Sequence, residues 1–233
     1  MVLDFCKRHD EGLILSETKS RASHSQLGQD LWIVSIFANT ASGFFVEAGA
    51  GDGVEISNTL LLEQRGWNGL CVEPSPRFAR LIRNRTCRVA NACLGRLDGE
   101  TLPFHLDQHD SHYSGIHKFL DDWQRQRAAK TFDIATVSLG TLLRKYNAPR
   151  FIEYLSLDTE GSELEILRGL DFSEFSFGAL TIEHNWEEPR RRQTRNLLQS
   201  KGYLLFKEVE FEDWFLNRII ARSPKQGRSR RMT

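Results

Sequence analysis

Phe44-Phe45-Val46-Glu47-Ala48-Gly49-Ala50-Gly51-Asp52-Gly53 is the stretch whose reading decides the fold. A short apolar run after Gly43 opens into a turn with three alternating glycines, and residues 56–65 then read as a helix that stops at Gly66. The segment predicts strand, loop, helix. Glycine has no Cβ and tolerates positive φ, so Gly49, Gly51 and Gly53 allow the backbone to approach a bound molecule closely.

Working outward, the same unit recurs. Leu70-Cys71-Val72-Glu73 predicts a second strand, followed by Ser75 as N-cap and Pro76 at the first helical position of a helix that buries Phe78, Leu81 and Ile82. Residues 88–92 predict a third strand and 102–106 an additional one. The segment 107–130 is polar, rich in histidine and aromatic residues, and irregular. Residues 137–146 read as an amphipathic helix and 151–158 as an apolar strand ending in Asp158. Ser162 with Glu165 suggests a capping box for the next helix. Residues 177–182 follow as a strand, 189–200 as a helix and 203–220 as a closing pair of strands. Upstream, Leu27, Leu31 and Val34 lie at helical spacing, which predicts a packing helix over 26–37. Alternating strands and helices imply an α/β, Rossmann-like fold: a mainly parallel sheet with an antiparallel last strand and helices on both faces.

At 233 residues the chain suits one domain, expected over 25–221, with an N-terminal extension over 1–24 and a basic, disordered tail over 222–233. The 31 basic and 31 acidic side chains cancel, so no global field favours nucleic acid or an anionic membrane as partner. No apolar run approaches the roughly 20 residues that cross a bilayer, and residues 1–20 mix charges into each hydrophobic stretch, so neither signal peptide nor anchor is expected. Cys6, Cys71, Cys87 and Cys93 lack Cys-x-x-Cys spacing and read as core filling in a reduced, cytoplasmic protein. The sequence leaves the oligomeric state open.

Chemistry gathers at the predicted strand ends, each of which closes on polar residues: Glu47, Glu73, Asn91, Asp158 and then Glu183-His184-Asn185. In doubly wound folds ligands bind outside the carboxyl ends of the strands, so these residues converge on one cleft. The dinucleotide fingerprint G-x-G-x-x-G fails at its third glycine, which is Val54 here. Glu47, Asp52 and Glu55 surround the loop with negative charge, which opposes a diphosphate but suits the cationic sulfonium and ammonium of S-adenosylmethionine. Glu73 is placed to accept both ribose hydroxyls of such an adenosine ligand.

At these residues the chain resembles the FkbM family of methyltransferases, from about Ser25 to about Asn217. The matching pieces are Ser25-Gln26 with Gln29-Asp30, the stretch from Phe45 to Gly53, Ser57-Asn58-Thr59, Gly66-Trp67, Val72-Glu73-Pro74, the run Asp158-Thr159-Glu160-Gly161-Ser162-Glu163, and Ile182-Glu183. The resemblance implies the class I methyltransferase fold and S-adenosylmethionine as cofactor. By resemblance Glu47, Gly49 and Gly51 line its methionine part, Ser57 and Asn58 lie near the methionine carboxylate, Glu73 holds the ribose, and Asn91 or Ala92 adjoins the adenine. Gln26 and Asp52 complete the implied cofactor set. The resemblance further implies O-methylation of a hydroxyl on a sugar, glycan or related small metabolite, with N-methylation of a small amine and a non-catalytic cofactor-binding module as rivals. Leu157 and Thr159 depart from the lysine and aliphatic residue that often flank the aspartate in this family.

For the acceptor, Asp158 and His184 are the candidate catalytic pair, either removing the hydroxyl proton directly or, with Asn185, holding Mg²⁺ or Mn²⁺. The metal-free route is preferred, because Glu183-His184-Asn185 lacks a second aspartate at that strand end. His112, Tyr113 and Ser114 belong to a substrate-covering loop. Arg190 and Arg191, with Arg192 and Arg195, either pair with Glu187 and Glu188 or recognise an acidic acceptor.

Overall fold

The computed structural model describes residues 23–222. The expected basic tail and the N-terminal extension lie outside the described residues except for their innermost positions, and Cys6 lies outside them altogether.

The chain starts with α1 (Gln29–Ile36) and β1 (Phe44–Ala48), followed by α2 (Leu60–Gln64), β2 (Asn68–Val72), α3 (Phe78–Asn84) and β3 (Arg88–Ala90). A side excursion contains β4 (Cys93–Gly95), β5 (Thr101–Asp107), β6 (Gly115–Ile116), α4 (Asp122–Gln126) and β7 (Ala129–Ser138). The main fold resumes with α5 (Leu139–Lys145), β8 (Phe151–Leu157), α6 (Glu163–Arg168), β9 (Ser176–Glu183) and α7 (Glu188–Ser200), and ends with β10 (Tyr203–Val209), β11 (Glu212–Asn217) and α8 (Arg218–Arg222). The main sheet has the order β10-β11-β9-β8-β1-β2-β3. Neighbours are parallel except β11, which inserts antiparallel between β9 and β10. Strand order reverses between β1 and β8, which opens a crevice beyond their carboxyl ends. Among the described residues no helix is long and apolar enough to cross a membrane.

Strand alternation sorts β1 between two cores. Phe44, Val46 and Ala48 join Leu142, Leu155 and Ile166 on one face, while Phe45 joins Trp32, Leu62, Trp67 and Tyr154 on the other. Period 2 puts Glu47 on the Phe45 face, where it is 4% exposed. Its carboxylate accepts from Asn58 N at 2.6 Å, Thr59 Oγ1 at 2.5 Å and Ser57 Oγ at 3.0 Å, and pairs with Arg85 Nη1 at 3.2 Å. Arg85 also binds Glu63 Oε2 at 2.6 Å, which links β1, α2 and the end of α3 through one buried guanidinium. The Cys71 thiol lies 3.7 Å from the Glu47 carboxylate, and Cys71, Cys87 and Cys93 are free.

Several expectations are corrected. In α1 the deeply buried side chains are Gln29, Asp30, Trp32 and Ile33, while Leu27, Leu31 and Val34 are half-buried. The first helix after the glycine loop begins at Leu60, because residues 56–59 are held in a turn by Glu47. Ser75 starts a turn by accepting from Arg77 N at 3.2 Å, and α3 begins at Phe78. Leu81 and Arg85 then form its buried side and leave Ile82 55% exposed. The capping box at Ser162 does not form: Ser162 Oγ donates to Thr159 Oγ1, and Glu163 instead accepts from Thr159 N at 2.7 Å and Gly161 N at 3.1 Å. The helix expected over 137–146 begins at Leu139, after a ten-residue strand, β7, that the sequence reading missed.

Two consequences can be measured. Arg85→Met leaves Glu47 buried without its cation, and chemical denaturation should record a loss of about 3–5 kcal/mol. At Gly49 (φ +81) a Cβ would lie 1.7 Å from the Asp158 carbonyl oxygen, whereas at Gly66 (φ +87) it would meet nothing within 4 Å. Gly49→Ala should therefore separate the ends of β1 and β8 and abolish ligand binding, while Gly66→Ala should cost only the left-handed backbone penalty of about 1–2 kcal/mol. Similar melting temperatures for the two variants would contradict this.

Candidate active site

A cleft of about 470 Å³ lies at the carboxyl ends of the parallel strands, a size suited to a small-molecule ligand. One wall consists of Gly49, Gly51, Glu73, Ser57, Asn58, Ala92 and Gln26. Gly49 N and Ala50 N bond Val72 O at 3.0 and 3.1 Å, so the glycine loop is tied to the end of β2. Glu73, 6% exposed, accepts from Gly51 N at 2.8 Å and Ser75 N at 2.8 Å, one bond to each oxygen. A carboxylate offers about four lone-pair positions, so two remain for outside donors. Asn58 donates to Ser156 Oγ at 2.9 Å, and its Oδ1, buried, has no hydrogen-bond partner among the described residues.

Three expected cofactor residues are placed differently. Glu47 lines the cleft, but its carboxylate is engaged by the internal network around Arg85. Asp52 does not line it: Oδ1 accepts from Val54 N and Glu55 N, both at 3.0 Å, and closes the turn. Asn91 likewise stays outside and donates to Glu73 O at 2.8 Å, leaving Ala92 as the wall residue.

The opposite wall combines strand ends with the excursion. Asp158, Glu160, Glu183, Asn185 and Trp186 line it together with His112, Tyr113, Ser114, Trp123 and Gln124. Glu160 (φ +56), Asn185 (φ +46) and Trp186 (φ +57) all adopt left-handed backbone, which turns them towards this space. Burial pushes the Asp158 carboxyl up to about 6, with the Glu163 and Glu47 charges adding to it. Burial, then the neighbouring Asp158 charge, also raises Glu160 and Glu183 well above the usual carboxylate range. Oxygens of Asp158, Glu160 and Glu183 lie within 4.8 Å of one another.

The metal set expected from the sequence, Asp158 with His184 and Asn185, is not the set brought together. His184 lies outside the cleft because it alternates with Glu183. Its Nδ1 accepts from Trp186 N at 3.0 Å, its Nε2 lies 3.7 Å from Asp213, and burial lowers its pKa. Asn185 reaches the cleft but donates to Glu160 Oε2 at 3.4 Å. The arginines are also absent from the lining. Arg190 Nη1 donates to Phe119 O and Gly161 O, both at 2.6 Å, and Arg191 and Arg195 converge on Asp213.

Glu160, Trp123 and Trp186 were not selected from the sequence. Glu160 sits where a helix-dipole carboxylate would, a role that Glu163 takes instead. Trp123 and Trp186 are 55% and 63% exposed, and large exposed aromatics carry no periodic signal.

Among solved structures, the chain is similar to a candidate RNA methyltransferase from Pyrococcus horikoshii, with 12% identity, 83% of this chain and 82% of that chain covered, and TM-score 0.42. It is also similar to precorrin-6y C5,15-methyltransferase from Geobacter metallireducens (10% identity, 84% and 89% covered, TM-score 0.43) and to a candidate O-methyltransferase from Klebsiella pneumoniae (10%, 92% and 85%, TM-score 0.42). No curated protein matches the chain. The methyltransferase FkbM domain matches residues 47–205, more than half of the chain. That span starts at Glu47 and carries most of the residues that line the cleft, so the chain belongs to the FkbM methyltransferase family and is an S-adenosylmethionine-dependent methyltransferase of the class I fold.

Proposed function

We propose that the protein methylates a hydroxyl of a sugar, glycan or related polar small molecule. The observation that carries this reading is the composition of the acceptor wall, where Tyr113, Trp123 and Trp186 stand beside the hydrogen-bonding groups of His112, Ser114 and Asn185 and the carboxyl of Asp158. Aromatic faces suit the apolar faces of a sugar ring, and the polar groups suit its hydroxyls. The rings are held in place. Arg127 Cζ lies 4.6 Å from the centroids of both Tyr113 and Trp123, and its guanidinium is ion-paired with the buried Asp107.

When bound, S-adenosylmethionine supplies a sulfonium-activated methyl group that a nucleophile can displace. The donor set fits that cofactor. Glu73 has lone pairs for two ribose hydroxyls, and the Asn58 Oδ1 atom supplies an acceptor for its ammonium or another donor. Ser57 Oγ is engaged with Glu47, so its contribution is to shape the wall, and Ala92 takes the adenine-side place.

A sugar hydroxyl is too weak an acid to ionise unaided near neutrality. Asp158 helps it lose the proton, as base or as ligand of a divalent ion. His184 has no part in that step in this reading, because its ring faces Asp213. Arg190 and Arg191 brace the excursion and the last strands and do not recognise an acidic acceptor.

Glu73→Ala should weaken S-adenosylmethionine binding by about 1–3 kcal/mol in calorimetry, and unchanged affinity would remove the ribose assignment. Asp158→Asn should lower kcat on the order of a hundredfold while leaving cofactor affinity near normal. A methyl-labelled cofactor incubated with sugars, amines and metabolite pools tests the acceptor class. Label transferred only to amines would overturn O-methylation.

A further inference from the structure

We propose that Asp158, Glu160 and Glu183 form a binding site for one divalent metal ion on the acceptor side of the cleft. The inference deepens the methyl-transfer reading, since it concerns the same cleft and names what would acidify the acceptor hydroxyl. Three carboxylate oxygens from two adjacent strand ends lie within 4.8 Å of one another, close enough to share one hard cation. Glu183 supplies a second observation. It is 7% exposed, and its Oε2 is buried with no hydrogen-bond partner among the described residues. A buried carboxylate oxygen left unpaired is costly, and an oxygen-seeking ion at the cluster removes that cost.

A cation entering the cluster would take the place of the protons that the crowded acids otherwise share. Glu160 Oε2 receives the Gln124 amide and, at 3.4 Å, the Asn185 amide, an arrangement for an ionised carboxylate whose other oxygen is directed elsewhere. Glu163, the fourth acid nearby, accepts through Oε1 from Thr159 and Gly161. Nearby cations are committed too: Arg127 to Asp107, and Arg190 to the carbonyls of Phe119 and Gly161. All the donors are hard oxygens with neither thiolate nor imidazole among them, which selects Mg²⁺ or Mn²⁺ over zinc or copper. Three protein ligands leave positions for water and for an acceptor hydroxyl, whose proton a bound ion would make easier to lose.

Mn²⁺ alone tests the site, with no cofactor or acceptor present. Electron paramagnetic resonance of free Mn²⁺ should show one equivalent bound by the wild-type protein and displaced by excess Mg²⁺. Glu160→Gln and Glu183→Gln should each weaken binding at least tenfold with unchanged circular dichroism. A second readout covers variants that fail to fold: Tb³⁺ bound to the wild-type protein should be sensitised by the cleft tryptophans, and Trp186→Phe, a change at an exposed ring, should reduce that emission. No saturable Mn²⁺ binding at millimolar concentration overturns the proposal. So does binding that survives in folded Glu160→Gln and Glu183→Gln, or Tb³⁺ emission unchanged in Trp186→Phe. Any of these results leaves O-methylation standing with Asp158 as a direct base, whereas failure of the labelled-cofactor screen leaves ion binding untouched.

Discussion

A carboxylate buried in the middle of a sheet must be neutralised and hydrogen-bonded, and Glu47 imposes that requirement on everything around it. Strand alternation gives it no other direction to point, since its neighbours Val46 and Ala48 occupy the opposite core. The demand is met from three segments at once: the backbone and hydroxyls of residues 57–59, the guanidinium of Arg85, and through Arg85 the carboxylate of Glu63. Ser57 and Asn58 are thereby fixed on the cleft wall although neither lies in a helix or strand. The glycine loop gains its shape from the same economy of space, because Gly49 packs its α-carbon against the carbonyl of Asp158. The glycine loop and the end of β8 are thus joined at a point where no side chain fits.

Much of this was legible in the chain. Each strand of the main sheet has a continuous or alternating apolar signature, and the polar residue that closes it marks the ligand edge, as Glu47, Glu73, Asp158 and Glu183 do. The fold follows from local pattern plus the handedness rules of parallel sheets, and the family from the resemblance carried by motifs such as those over residues 45–53 and 158–163. What escaped was the strand β7. Its residues Phe132 and Ile134 do alternate, packing with Phe104, but Lys130 and Thr136 stand at the same phase and interrupt the apolar pattern. Length and flanking turns did not distinguish it from a loop running into a helix.

The residues proposed for the acceptor were less legible for a different reason: side-chain direction. A strand end gives three candidates in a row, and which of Glu183, His184 and Asn185 enters the cleft depends on a single-residue phase that the left-handed turn at Asn185 and Trp186 resets. Asp52 and Arg190 illustrate the same limit. Their chemistry suits a ligand, but a backbone N–H or carbonyl of the protein itself comes first within reach, and short polar side chains in turns commonly satisfy such groups. Glu160 is the converse, a residue that looks like helix-terminus decoration until its positive φ directs it inward.

Charge balance ties the two walls together. The wall proposed for the acceptor brings together Asp158, Glu160 and Glu183, while Arg127 and Arg190 nearby are engaged with another anion and with carbonyls. In a buried site of low dielectric such an excess cannot persist as three free carboxylates, and burial has already driven their protonation equilibria towards the neutral forms. Any cation that enters shifts those equilibria back towards the ionised forms. The cofactor arrives with a sulfonium and leaves, after methyl transfer, as a neutral thioether. Three crowded acids that ionise together only beside a positive charge thus suit a cationic ligand better than a neutral one.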